Sequence, residues 1–286
     1  MADREPPCSR LSCSNLARCP LKLKKGFCAL LFLAVGPEVL RAIEMEQFAG
    51  SAHAYPAMFD LAGKKRANAE FTQQIADGLL HVRITYDLVE GGRIEEKASF
   101  RQRPELVQEG WSWQEHKEEA LVRKYTVDFD SGKAIAQKRE KGGVKDWSEQ
   151  VKIEPGRTFA GFGFTFAAQN LRDRLVKGEV IELQAVGFTP KPRIVTVKLA
   201  YQGVDRVPMS DRVLRGEHFV IRPNIPAIAK LFVKVPDTHI WLTPPPSGFL
   251  RWQGPLAEPS DPLVRVDLVS SGESRPARPA DGKSEE

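Results

Sequence analysis

Residues 80–88 read Leu-His-Val-Arg-Ile-Thr-Tyr-Asp-Leu. Leu80, Val82, Ile84, Tyr86 and Leu88 alternate with His81, Arg83, Thr85 and Asp87. Successive side chains of a strand point to opposite faces, so one face here is apolar and the other is wet. That pattern belongs to an antiparallel sheet covered on one side. Similar alternation downstream predicts strands over Arg93–Gln102, Glu105–Glu115, Ala120–Asp130, Lys133–Arg139 and Val144–Ile153. Between them lie Gly91-Gly92, Ser131-Gly132 and Gly142-Gly143, and Asp77-Gly78 precedes the first. Such residues reach positive φ at low cost, as tight hairpins require. Short links pair sequence neighbours and make a meander.

The period then changes. Phe159, Phe162, Phe166, Asn170, Leu171 and Leu175 recur at helical spacing, with Arg172, Asp173, Arg174 and Lys177 between and after them. With Gly178 as a stop, a helix is predicted over 162–177, carrying an aromatic face. Strands resume over Glu179–Val186 and Arg193–Tyr201, with shorter pieces at Val204–Val207 and His218–Ile221. Residues 224–232 read as one or two helical turns. Pro244-Pro245-Pro246-Ser247-Gly248 forms a stiff turn between short strands Ile240–Leu242 and Phe249–Trp252. Pro255, Pro259 and Pro262 hold a second link extended before a closing strand, Val264–Leu268. Trp241 and Trp252 are placed to meet across the hairpin, either on a sheet face or at the mouth of a cavity.

The architecture expected is mainly β (α+β): a curved antiparallel meander or part-barrel with one helix packed on its concave face. It occupies residues 55–269 as a single domain. A leader-like segment, 1–54, precedes it, and a polar tail, 270–286, is expected to be disordered. The strand order is not a βαβ alternation, and neither a G-x-G-x-x-G nor a P-loop occurs. A doubly wound nucleotide-binding sheet is therefore excluded.

The chain has 286 residues, 42% of them hydrophobic, with a net charge of +5. Outside the first 54 residues the excess falls to +3, too small for a nucleic-acid surface. All four cysteines, Cys8, Cys13, Cys19 and Cys28, precede the body, with no zinc spacing among them. Lys22, Lys24 and Lys25 precede the apolar run Phe27–Val35, the shape of an export signal. Nine apolar residues are too few to span a bilayer, which needs about 20. The best small-residue cleavage motif is Ala52-His53-Ala54. Export to the periplasm or another extracytoplasmic space is expected; an uncleaved, membrane-associated N-terminal segment is the alternative.

Phe219-Val220-Ile221-Arg222-Pro223, then Ile240-Trp241-Leu242-Thr243, a turn and an amphipathic closing strand resemble the C-terminal half of the bacterial proteins grouped as domain of unknown function 3108. The resemblance covers residues 68–269. It implies a secreted or periplasmic protein with a curved antiparallel sheet and a helix on its concave side, similar to the lipoprotein-localisation carriers. It implies no activity. Where such proteins often have an acidic turn after the Trp strand, this chain has Pro244-Pro245-Pro246.

A sheet with one greasy face needs a cover, and the phenylalanine-bearing helix supplies it. An incomplete cover leaves an apolar groove for a lipid or another hydrophobic small molecule. Its expected lining is Val82, Ile84, Tyr86, Phe162, Phe166, Val197, Leu199, Trp241 and Trp252. The alternative is a ligand-free module that meets an envelope protein through strand edges or proline-rich loops. A hydrolase built on Asp237 and His239, with Ser247 in the nearby turn, is the second alternative; Pro-Ser-Gly is ordinary turn chemistry and no nucleophile elbow. Asp128–Lys133 starts like a calcium loop but lacks the later Gly and Glu, so it reads as a hairpin turn. Glu115, His116, Glu118 and Glu119 read as a solvated turn. Adjacent carboxylates such as Glu95 and Glu96 point to opposite faces of a strand and form no local dyad. No cofactor, no metal, no nucleic acid and no membrane span beyond the leader are expected.

Overall fold

The computed structural model describes residues 42–209, 212–224 and 235–268. The apolar run of the leader, the helical turns predicted over 224–232 except Asn224, and the tail lie outside the described residues.

Sixteen strands and one helix are described. The first run comprises β1 (Ala52–Ala54), β2 (Pro56–Asp60), β3 (Lys65–Ala76), β4 (Leu79–Leu88) and β5 (Arg93–Arg101). It continues through β6 (Val107–Lys117), β7 (Ala120–Asp128), β8 (Lys133–Glu140) and β9 (Gly143–Gln150). The short β10 (Thr158–Phe159) leads into α1 (Gly163–Val176). After it come β11 (Ile181–Phe188), β12 (Pro192–Met209), β13 (Arg212–Pro223), β14 (Thr238–Leu242), β15 (Phe249–Pro255) and β16 (Leu263–Leu268).

Neighbours in sequence pair antiparallel from β2 to β9 and again from β11 to β16, as short hairpin links require. The two runs join where β16 pairs with β2, Val266 opposite Met58. The end strands β9 and β10 therefore form the two margins of one sheet, and β10 lies parallel to β11. The margins curl toward one another. Lys191 Nζ, in the β11–β12 turn, stands 3.7 Å from Glu149 of β9. Phe188 of β11 reaches Tyr125 and Trp111 of β7 and β6, with ring centroids 4.7 and 5.7 Å apart. The result is a part-barrel with its apolar face inward: Leu80, Val82, Ile84 and Tyr86 are all buried.

The helix plugs this barrel. Phe166, Ala167, Leu171 and Leu175 pack with Phe100, Leu183, Leu199, Phe219 and Leu242 in one buried cluster. Each large apolar side chain there stabilises the fold by roughly 1.5–3 kcal/mol. At the C-terminus Gly178 takes φ +95°, and its N–H donates to the Leu175 carbonyl at 2.9 Å. The expected glycine stop is thus used, because only glycine adopts that conformation freely.

Three expectations need correction. The first concerns the leader boundary. Residues 42–54 belong to the body, and Ile43 is buried in the helix cluster. The side chain of Asn170 accepts hydrogen bonds from the backbone N–H groups of Glu46 and Gln47, both at 2.9 Å. Gln102 brackets Ala49, accepting from its N–H at 2.8 Å and donating to its carbonyl at 2.9 Å. β1 pairs with β3. Over 42–50 this segment lacks a period because it is held by scattered backbone and side-chain bonds to distant residues and not by a regular strand ladder. Second, Trp241 and Trp252 do not meet: Trp252 stands opposite Ile240 and Trp241 opposite Arg251, so the two rings lie on opposite faces. Third, Arg193–Tyr201 and Val204–Val207 are one strand, β12, bent at a bulge between Tyr201 and Gly203.

Candidate functional site

A cavity of about 720 Å³ lies inside the barrel beside the first turn of the helix. Small-molecule pockets span ~300–1,000 Å³. β4, β5 and β6 contribute Tyr86, Glu96, Trp111 and Trp113; the helix start contributes Phe162, Phe164 and Thr165. The opposite wall holds Val186, Phe188, Val195, Val197, Trp252, Val264 and Val266. The lining is mostly apolar, and β11 and β12 contribute residues from both of their faces, with Ala185, Val186, Gly187 and Phe188 bordering it in succession.

Within this wall sits a carboxylate. Strand alternation places Glu96 on the same face as Ile94, Ala98 and Phe100, directed inward, while Glu95 turns outward to Arg83 and Lys97, at 2.5 and 2.7 Å. Trp111 Nε1–H donates to Glu96 Oε1 at 2.7 Å, and the backbone N–H of Phe162 donates to the same oxygen at 3.1 Å. Phe162 is the N-cap of the helix and offers no side-chain cap, so a residue from a distant strand supplies an acceptor there. Burial pushes the Glu96 carboxyl up to about 6, against the two donors that favour its charged form. Burial, and then the nearby Glu96, push the Tyr86 hydroxyl well above its usual range. Gly161 makes the junction possible. Its φ is +48°, and a Cβ there would collide with the Glu96 carboxylate and the Trp111 indole nitrogen.

A strap crosses the same end of the barrel. The β15–β16 connection, residues 256–262, brings Leu256, Ala257 and Pro259 to the cavity. Arg123 Nη1 of β7 donates to both oxygens of Asp261, at 2.9 and 2.8 Å. Lys138 Nζ of β8 lies 3.3 Å from both oxygens of the buried Glu258, which also accepts from the Tyr125 hydroxyl. β7 and β8 stand far from β15 in the strand order, so these contacts span the barrel.

Of the lining expected from sequence, Tyr86, Phe162, Val197 and Trp252 border the cavity. Val82, Phe166 and Leu199 are packed with the helix, and Ile84 lies in the other buried cluster. Trp241 is on the outer face, against Val207, Met209 and Leu250, and its Nε1–H donates to Asp205 at 2.8 Å. A one-residue register difference puts it there.

The Asp237–His239–Ser247 grouping is not assembled. Asp237 accepts from Arg222 at 3.2 Å, and His239 Nδ1 pairs with His218 Nε2 at 2.9 Å. Ser247 Oγ accepts from Gln47 at 3.3 Å. Burial holds both imidazoles below their ordinary range. Among the described residues no group of three or more His, Cys, Asp or Glu is placed to hold a metal ion. Nor is any described helix long and apolar enough to cross a membrane.

Glu96 is the residue that sequence reasoning passed over. The signal was present: it shares a face with Ile94, Ala98 and Phe100, so it interrupts an apolar inward row with a charge.

No family model matches the chain. No curated protein matches it either. Among solved structures, the β-barrel-like protein of Domain of Unknown Function DUF1849 from Brucella abortus is similar over 77% of this chain and 96% of its own, at 9% identity and a TM-score of 0.45.

Proposed function

We propose that this protein is a noncatalytic binding protein that holds a hydrophobic small molecule or lipid chain between its curved sheet and its helix. The observation that carries this reading is the apolar cavity of about 720 Å³ beside the helix. A concavity of this size leaves aromatic and aliphatic side chains in contact with water, and a hydrophobic ligand would bury that surface. Export to the bacterial envelope, suggested by the basic and apolar leader, belongs to the same proposal, as does kinship with the domain of unknown function 3108 proteins. Two measurements test the binding. Native mass spectrometry of gently purified protein should show a bound hydrophobic adduct. Stripped protein should take up the apolar dye Nile red with enhanced fluorescence at one site per chain. Clean apoprotein that takes up no dye would overturn the reading and favour a ligand-free interaction module.

A further inference from the structure

Glu96 does more than brace the helix start. Its Oε1 accepts both hydrogen bonds, from Trp111 and from Phe162. Its Oε2 makes no hydrogen bond with the described residues, yet it is not sealed within protein, so it faces the cavity. The Tyr86 hydroxyl is in the same state. The two belong together: Ile84 stands opposite Glu96 and Tyr86 opposite Ile94, so Tyr86 is the diagonal neighbour of Glu96 on the inward face. Trp113 stands directly opposite Glu96 on the other side.

A brace alone needs one neutral acceptor, which glutamine would supply without burying a charge. The carboxylate instead leaves Oε2 without a hydrogen-bond partner among the described residues, facing the mostly apolar cavity beside aromatic rings. We infer that the cavity recognises an amphiphile by a protonated amino group, which donates to Glu96 Oε2 and to the Tyr86 oxygen while the apolar body fills the remaining space. This deepens the hydrophobic-ligand reading and rests on it.

An ammonium group has three donors and no acceptor, so it can serve both acceptor sites and turn its third N–H toward a neighbouring aromatic ring. Its hydrogen bond to a carboxylate is charge-assisted, and neighbouring aromatic faces favour a cation. A hydroxyl head would satisfy Oε2 but leave the charge unneutralised. A carboxylate head would bring like charge against Glu96. The other titratable groups of the lining are Tyr86 and Arg193, and Arg193 is exposed. With Glu96 held near 6, the preference for an amine should weaken as the medium is acidified through that range.

The test is competition against bound Nile red by decylamine, decanol and decanoate, in the wild-type protein and in Glu96→Gln, at pH 7.5 and pH 5. The expected result at pH 7.5 is displacement by decylamine at a concentration about tenfold or more below that of decanoate. That advantage should shrink at pH 5 and disappear in Glu96→Gln, each competitor being read against that variant's own dye affinity. Tyr86→Phe should reduce it a few-fold. Dye uptake with decylamine no better than decanoate in the wild-type protein would overturn the inference and leave the hydrophobic site standing. Absence of dye uptake would remove the site and the inference with it.

Discussion

Replacing Glu96 by Gln keeps an oxygen for Trp111 and Phe162 while removing the half-buried charge, and its effect on stability follows from the sign of the titration. The carboxyl is raised from 4.5 to about 6 by burial. The folded protein thus holds a proton here more tightly than the unfolded chain does. Protonation stabilises the fold fully below the unfolded value, and this contribution is lost as pH rises through about 6. A shift from 4.5 to about 6 corresponds to about 2 kcal/mol of stability forfeited at neutral pH. Gln does not titrate. The stability of the variant relative to wild type should therefore rise by about 2 kcal/mol between pH 4 and pH 7.5. In thermal unfolding that is a relative gain of roughly 4–8 °C for a domain of this size. Other carboxylates cancel, because both proteins share them. Urea or thermal melts of the pair at several pH values measure the difference. A difference that stays flat with pH, or that turns against the variant on going to pH 7.5, would refute the buried-charge reasoning. A residue that costs stability in the empty protein is what a ligand-binding charge would be expected to do.

Phe166→Ala removes a buried ring packed 4.9 Å from Phe100 and should cost about 3–5 kcal/mol in urea unfolding; a loss below about 1 kcal/mol would mean that the helix does not plug the barrel. Arg123→Ala leaves Asp261 and Glu115 without their cation and should cost roughly 3 kcal/mol. Hydrogen exchange should then rise first over residues 256–262, and a uniform rise across the helix as well would argue against a strap. Gly161→Ala forces a side chain into the Glu96–Trp111 junction at positive φ, so a loss of about 2 kcal/mol or more is expected by denaturant melt. A chain beginning at Tyr55 lacks β1 and the buried Ile43, and should melt below one beginning at Ala42; equal melting temperatures would show that the segment contributes nothing.

The leader reading shows where periodicity stops helping. Residues 42–50 form no strand and carry mixed polar and apolar side chains, so nothing local marks them as part of the body. What fixes them are distant partners: the Asn170 and Gln102 side chains, which satisfy backbone groups of Glu46, Gln47 and Ala49, and the backbone of Leu106 and Gly156, which bonds to Ile43. The tryptophan pair fails for a related reason. Hairpin proximity was legible, but which ring turned inward depended on a register that a proline-rich turn and an adjacent bulge decided. For Asp237 and His239, sequence spacing put both on one face, yet their partners came from β13, which spacing cannot see.

By itself the sequence determined the local conformations. A two-residue period with glycine turns commits the chain to antiparallel hairpins, and a three-to-four-residue aromatic spacing ending at Gly178 commits one segment to a helix. It also determined that one sheet face had to be buried. Tertiary structure decided how that face closed: β16 pairing with β2, the helix entering one part of the barrel, and a cavity remaining beside it. Alternation assigns each side chain to a face, but only the folded sheet reveals which faces are packed and which border empty space. Glu96 acquires its character from that distinction, since the same carboxylate on the outer face would be an ordinary solvated charge.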